Sequence, residues 1–138
     1  MDRSRSHVAD DTIRRWDRAF TALSAEPRRQ VVRSLIDVAA GESIRLPEAV
    51  SNSSMATEFD QLRIRLRHHH LPLLAEAELV QWEDDPLRAY RGRDFEEVSV
   101  IIESLYANAD EIPDRLVSGC RTLERKRESS SSECGLSG

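Results

Sequence analysis

Between residues 61 and 70 the chain carries three arginines, Arg63, Arg65 and Arg67, then three histidines, His68, His69 and His70, with no acid among them. These side chains suit nucleic acid. The planar fork of arginine pairs bidentately with guanine edges and phosphates, and histidine adds donors whose charge changes near neutral pH. On a helix, Arg63, Arg67 and His70 follow at i, i+4 and i+7 and form one outward stripe flanked by Arg65 and His68. A second basic set, Arg88, Arg91 and Arg93, lies further along and suits contacts to a phosphate backbone.

Other chemistries have less to stand on. Consecutive helical residues point about 100° apart, so His68, His69 and His70 cannot converge on one ion, and helical zinc ligands come as i, i+4 pairs. Cys120 and Cys134 belong to no C-x-x-C pair and read as free thiols in a reducing cytoplasm. The chain has only five glycines and lacks a phosphate-cradling loop, a nucleophile elbow and paired carboxylates on an evident cleft. No enzymatic activity, metal or cofactor is expected.

The elements that must position these residues follow from periodicity. Residues 1–9 read as a disordered arm. Ile13, Trp16, Phe20 and Leu23 give the first helix an apolar face, with Arg14, Arg15 and Arg18 toward solvent. Ser24 offers a cap for a second helix through Ala40, with Val31, Val32, Leu35, Ile36 and Ala39 buried and Gly41 suited to its end. Ser43 to Leu46 is a short strand candidate beside a later hairpin, and Pro47 suits the start of a short helix over residues 47–50. In the basic helix, Phe59, Leu62, Leu66, Leu73 and Ala77 share the inner face, and Pro72 predicts a kink or break. A strand over residues 79–83, an acidic turn at Asp84-Asp85-Pro86 and a return strand over 87–91 complete a hairpin. A basic helix followed by such a hairpin is the layout of a winged helix, so the expected fold is α+β, mostly α, with the winged-helix unit over residues 10–93. In that fold the helix enters the major groove and the hairpin touches the backbone.

Residues 94–127 form a helical extension in which Phe95, Val98, Ile102, Leu105, Ala109, Ile112, Leu116 and Leu123 recur at steps of three and four, the spacing of a dimerising seam. Pro113 interrupts it, so one kinked helix and two joined helices both fit. Residues 128–138 are a low-complexity tail.

The chain is 138 residues long, with aromatics at 5%, so its core is expected to be single, aliphatic and modest. It has no apolar run of spanning length and no charged-then-apolar leader, and reads as soluble and cytoplasmic. The net charge is −5, yet 19 of the 20 basic residues are arginine, Lys126 being the exception. Acid excess with almost no lysine fits a salt-adapted, halophilic proteome, although a high-GC genome alone produces arginine bias. In such a cytoplasm the Debye length falls to roughly 3 Å at 1 M salt, so an acidic pI argues less against DNA binding than it otherwise would.

The segment Ala22-Leu23-Ser24-x-Glu26-x-Arg28-Arg29-x-Val31-Val32-x-x-Leu35, followed by His70-Leu71-Pro72-x-Leu74-x-x-Ala77-x-Leu79-Val80, resembles a haloarchaeal winged-helix domain family. It is similar in layout to ArsR-like and MarR-like transcriptional regulators, whose reading helix often ends in His-Leu-x-x-Leu-x-x-Ala-Gly-Leu-Val. The resemblance covers roughly residues 19–93. It departs at Glu78, where those regulators usually have glycine, and at Pro72, which kinks the helix that should read DNA; the cysteines that metal-sensing ArsR-like proteins carry near the reading head are absent from that stretch. The resemblance implies a regulator of transcription that binds double-stranded DNA.

Two functional readings follow. In the first, Arg63, Arg65, Arg67, His68 and His70 read a DNA groove, Arg88, Arg91 and Arg93 hold flanking phosphates, and Phe95, Val98, Ile102, Leu105, Ile112 and Leu116 pair two copies as a homodimer. In the second, the unit binds a protein partner. The acids Glu76, Glu78, Glu83, Asp84 and Asp85 favour that rival, because they lie near the reading surface and would repel phosphate.

Overall fold

A computed structural model describes residues 2–51, 55–118 and 123–124, with side chains from residue 8 onward. The carboxyl-terminal tail and both cysteines lie outside the described residues. The chain runs α1 (Asp2–Ala22), α2 (Glu26–Ile36), β1 (Ile44–Arg45), α3 (Ala56–Arg65), a π turn (Leu66–His70), α4 (Leu71–Glu76), β2 (Val80–Glu83), β3 (Arg88–Arg91), α5 (Glu96–Ala107), a 3-10 turn (Ala109–Glu111) and α6 (Asp114–Val117). The architecture is α+β and mostly helical, with one small antiparallel sheet in the order β1-β3-β2. Among the described residues no helix is long and apolar enough to cross a membrane.

The predicted hairpin and its third strand are present. Trp82 and Ile44 pair with Ala89, while Glu83 and Arg45 pair with Arg88. Because strand side chains alternate, Ile44, Val80, Trp82, Ala89 and Arg91 share the face toward the helices, and Arg45, Glu83, Arg88 and Tyr90 share the outer one. The core under the sheet joins Val31, Val32 and Leu35 of α2 to Leu66, Leu71 and Leu74 of the basic helix and to Phe95, Val98 and Ile102 of α5.

Several local expectations are corrected. Helix α1 starts at Asp2 rather than after an arm. Its face at Ile13, Trp16 and Phe20 is not core: these side chains are exposed, and only Ala19, Ala22 and Leu23 are buried. Residues 46–50 form a hydrogen-bonded turn, with Val50 N–H and Ser51 N–H donating to Pro47 O, instead of a short helix. Helix α2 ends at Ile36, well before Gly41, whose φ of +92° serves the following turn.

The break expected at Pro72 is a π turn. Proline has no N–H to give the carbonyl one turn back; the helix widens just before it, and Leu71 N–H donates to Leu66 O. Helical backbone continues through Leu71, so α3, the π turn and α4 form one rod. Leu71 and Leu74 are buried, while Leu73, the predicted inner residue, is half-buried.

Glu78 makes the helix-to-strand turn at φ +63°, a region that costs a residue with a Cβ about 1–2 kcal/mol. Glycine avoids that cost and loses part of the gain to its greater freedom when unfolded. Glu78→Gly should therefore raise stability by about 0.5–1 kcal/mol, read as a higher urea midpoint with an unchanged slope.

Candidate nucleic-acid interface

The exposed surface of the rod carries Arg63, Arg65, Arg67, His68 and His69. No residue of α3 is buried; the helix leans on the body through half-buried Phe59 and Leu62 and presents the rest outward. The Arg63 guanidinium sits 5.9 Å from the centre of the Phe59 ring, which steadies its stem on the helix surface. Arg67 reaches across to the hairpin tip, where its Nη2 donates to Asp84 Oδ2 at 2.7 Å.

Between the rod and the hairpin lies a groove of about 550 Å³ lined by Arg45, Glu48, Arg63, Arg67, Asp84 and Asp85 among others. Arg45 has no basic neighbour in sequence and was not expected in this surface. Its signal is register: Ile44 faces the core, so Arg45 must face out beside Arg88. Arg88 is half-buried in that outer row, and its Nε has no hydrogen-bond partner among the described residues. Arg93 is exposed at the base of the hairpin, with Asp94 at 3.7 Å.

Two of the predicted contact residues are corrected. His70 is buried at 6% exposure. The π turn inserts an extra residue in the helical repeat, so the stripe that begins at Arg63 and Arg67 does not continue to position 70. Arg28 Nη1 lies 2.9 Å from His70 Nδ1; a guanidinium can only donate, so Nδ1 accepts and the ring is neutral. The same Arg28 donates to Ala22 O, Thr21 O and Ser24 Oγ, capping the carbonyl end of α1 while it holds the rod. Arg91 is the second. Sharing the core-side parity of Ala89, it runs under the sheet and donates to Leu35 O, Ile36 O and Val38 O. These are the unpaired carbonyls at the end of α2, where a cation is favoured. Neither residue belongs to the outer surface.

Burial pushes the His70 pKa down to about 4 from 6.5, and positive charge from Arg28, His69 and Arg65 adds to the effect. Because the folded pKa lies below the unfolded one, the unfolded chain takes up the proton first as pH falls. The stability due to neutral His70 is therefore whole above about pH 6.5 and is lost progressively as pH falls through about 4. His70→Gln should flatten this part of the acid limb, measured as urea midpoint against pH beside the native chain.

The predicted dimer seam divides. Phe95, Val98 and Ile102 are buried in their own chain's core, because α5 packs along α2. Leu105 and Leu116 are exposed, while half-buried Ile112 packs on a small separate cluster with Ala109, Val117 and Leu123. The seam as a continuous docking face does not exist. Among the described residues, no group of three or more His, Cys, Asp or Glu side chains is placed to hold a metal ion. Compared with known proteins, the chain matches no family model, no curated protein and no solved structure.

Proposed function

We propose that this chain is a winged-helix DNA-binding regulator whose basic rod reads double-stranded DNA. The observation that carries the reading is the outward set Arg63, Arg65, Arg67, His68 and His69, uninterrupted by acid between residues 61 and 70, on a helix of which no residue is buried. The supporting cations are Arg45, Arg88 and Arg93. They come from the outer sheet face and the hairpin base, so a duplex lying against the rod could bring phosphates toward them. Arg63 and Arg65 are the base-reading candidates, since neither guanidinium is held by an acid in the described contacts.

Asp84 sets a threshold on this surface. Its carboxylate occupies the position on Arg67 that a phosphate oxygen would take, so binding through Arg67 has to displace it. The same contact, with Glu48 and Asp85 in the groove, is the specific support for the second reading, a protein partner with mixed charge.

The deciding experiment is selection of genomic duplex fragments in high potassium salt, followed by anisotropy titrations over a salt series. Arg63→Ala/Arg65→Ala should weaken binding at least tenfold and reduce the slope of log K against log salt by about two. Asp84→Asn should tighten binding several-fold by releasing Arg67. A well-folded native chain that enriches no fragment would sink the DNA reading in favour of the protein-partner one.

A further inference from the structure

The outward arginines of the rod stand in two electrostatic conditions. Arg63 and Arg65 are held by no acid in the described contacts, whereas Arg67 Nη2 lies 2.7 Å from Asp84 Oδ2. The other described ion pairs lie within one helix or its cap, between α1 and the start of α5, or between the neighbours Arg93 and Asp94. The Arg67–Asp84 pair alone among them joins the rod to the hairpin tip, across 17 positions of the chain.

Both ends of this contact are fixed by backbone that is anchored in the body. Arg67 belongs to the π turn, whose first residue, Leu66, is fully buried. Asp84 directly follows the last residue of β2. On the far side of the tip Leu87 is buried, and Leu46 N–H donates to Leu87 O at 3.0 Å. The tip therefore does not swing away as a unit. The contact opens and closes by side-chain rotation, and an opened Asp84 stays in the groove beside Arg45, Arg63 and Arg67.

The two charged side chains are 42% and 44% exposed, so water and ions reach them. A pair of this kind shifts an equilibrium by about fivefold at most. At 0.1 M salt the Debye length is about 10 Å, well beyond the length of the contact; at 1 M it is roughly 3 Å, comparable with it. The pair holds at low salt and fades near molar salt.

Salt thus acts on Arg67 twice, in opposite directions. It weakens the attraction of the guanidinium for phosphate, as it does for every cation facing a duplex. It also loosens Asp84, which has to leave before that guanidinium can turn to a phosphate. For Arg63 and Arg65 only the first effect operates.

We infer that the Asp84–Arg67 contact is a salt-released latch on the rod, so that Arg67 contributes affinity that falls less with salt than that of Arg63 or Arg65. The inference rests on the reading of the rod as a duplex-binding surface. The latch holds binding back at low ionic strength and ceases to do so where salt is high. The surface then keeps its grip over a wider range of salt than its number of arginines implies.

Anisotropy titrations of the full chain with a selected duplex, from about 0.1 to 1 M potassium chloride, test it. Asp84→Asn should bind about fivefold tighter than the native chain at the low end and less than about twofold tighter at the high end. Its slope of log K against log salt should be steeper by about half a unit. Arg67→Ala should take only about 0.4 from the native slope, against about 0.9 for Arg63→Ala. With Arg67 already replaced by alanine, Asp84→Asn should gain less than about twofold at either salt. A gain of equal size with and without Arg67 would mean that Asp84 repels the duplex at long range, and overturns the latch. A gain that stays constant across the salt series overturns it too. If the native chain binds no duplex at any salt, the reading of the rod fails and takes the latch with it; a bound duplex with parallel salt lines rejects the latch alone. The free native chain gives a check that needs no variant to fold: the Arg67 side-chain resonances should move with added salt as the pair opens, and resonances that stay in place reject the inference.

Discussion

Replacing Arg28 with alanine is expected to lower stability by about 3 kcal/mol, more than any surface substitution on this chain should. Arg28 is 4% exposed and bridges two elements: it donates to Thr21 O and Ala22 O at the end of α1 and to His70 in the rod. Its removal strands two helix-end carbonyls and an imidazole nitrogen, each costing ~1–3 kcal/mol where water cannot fully replace the donor. The Tm should fall by on the order of 10 °C. Arg28→Lys separates charge from geometry, because one ammonium cannot reach carbonyls, hydroxyl and imidazole together; it should recover less than half of the loss. If lysine restored full stability, the cation alone would matter and the bridging role would be wrong. Urea unfolding followed by circular dichroism measures both variants.

Gly92→Ala is expected to be at least as damaging, for a different reason. A Cβ at this position would stand 2.6 Å from Glu78 O and from Val80 N, both backbone atoms that side-chain rotation cannot move. Gly92 N–H donates to Leu79 O and Asp94 N–H to Glu78 O, so the collision falls on the bonds that anchor the start of β2 beside the end of β3. Relief requires the strands to part, which takes Val80 and Leu79 out of the core. The expected loss is about 3–4 kcal/mol, read as a collapsed urea midpoint or as failure to purify folded protein. A near-native midpoint would mean that the hairpin base yields far more easily than its close contacts imply.

The elements were legible in the sequence where pattern and neighbourhood agree. Val31, Val32 and Leu35 repeat at helical spacing and are all fully buried; Trp82 and Ala89 alternate with polar residues and face each other across the hairpin on the core side. Partner choice was not legible. The stripes on α1 and α5 have the same three-and-four spacing, and periodicity states that a face is apolar without stating whose surface meets it. The structure reverses the expected roles: Phe95, Val98 and Ile102 fill the core, whereas Ile13, Trp16 and Phe20 stay open. Arg91 could have been placed from parity, since it is two positions from core residue Ala89. His70 could not, because an unbroken helical repeat puts it outward and only the π turn brings it in. Arg28, the residue that makes this burial tolerable, was visible as part of a resemblance but not as a bridge.

The wide turn at Leu66–His70 also bears on how this surface can diversify. It works as a phase joint in an otherwise continuous rod. Before it, apart from half-buried Phe59 and Leu62, the side chains point outward, and Leu71 and Leu74 after it answer to the core. A one-residue slip upstream would swing Arg63 by about 100° around the rod, while the downstream half keeps its setting. The outward side chains can change on one side of the joint while the other side holds the fold constant.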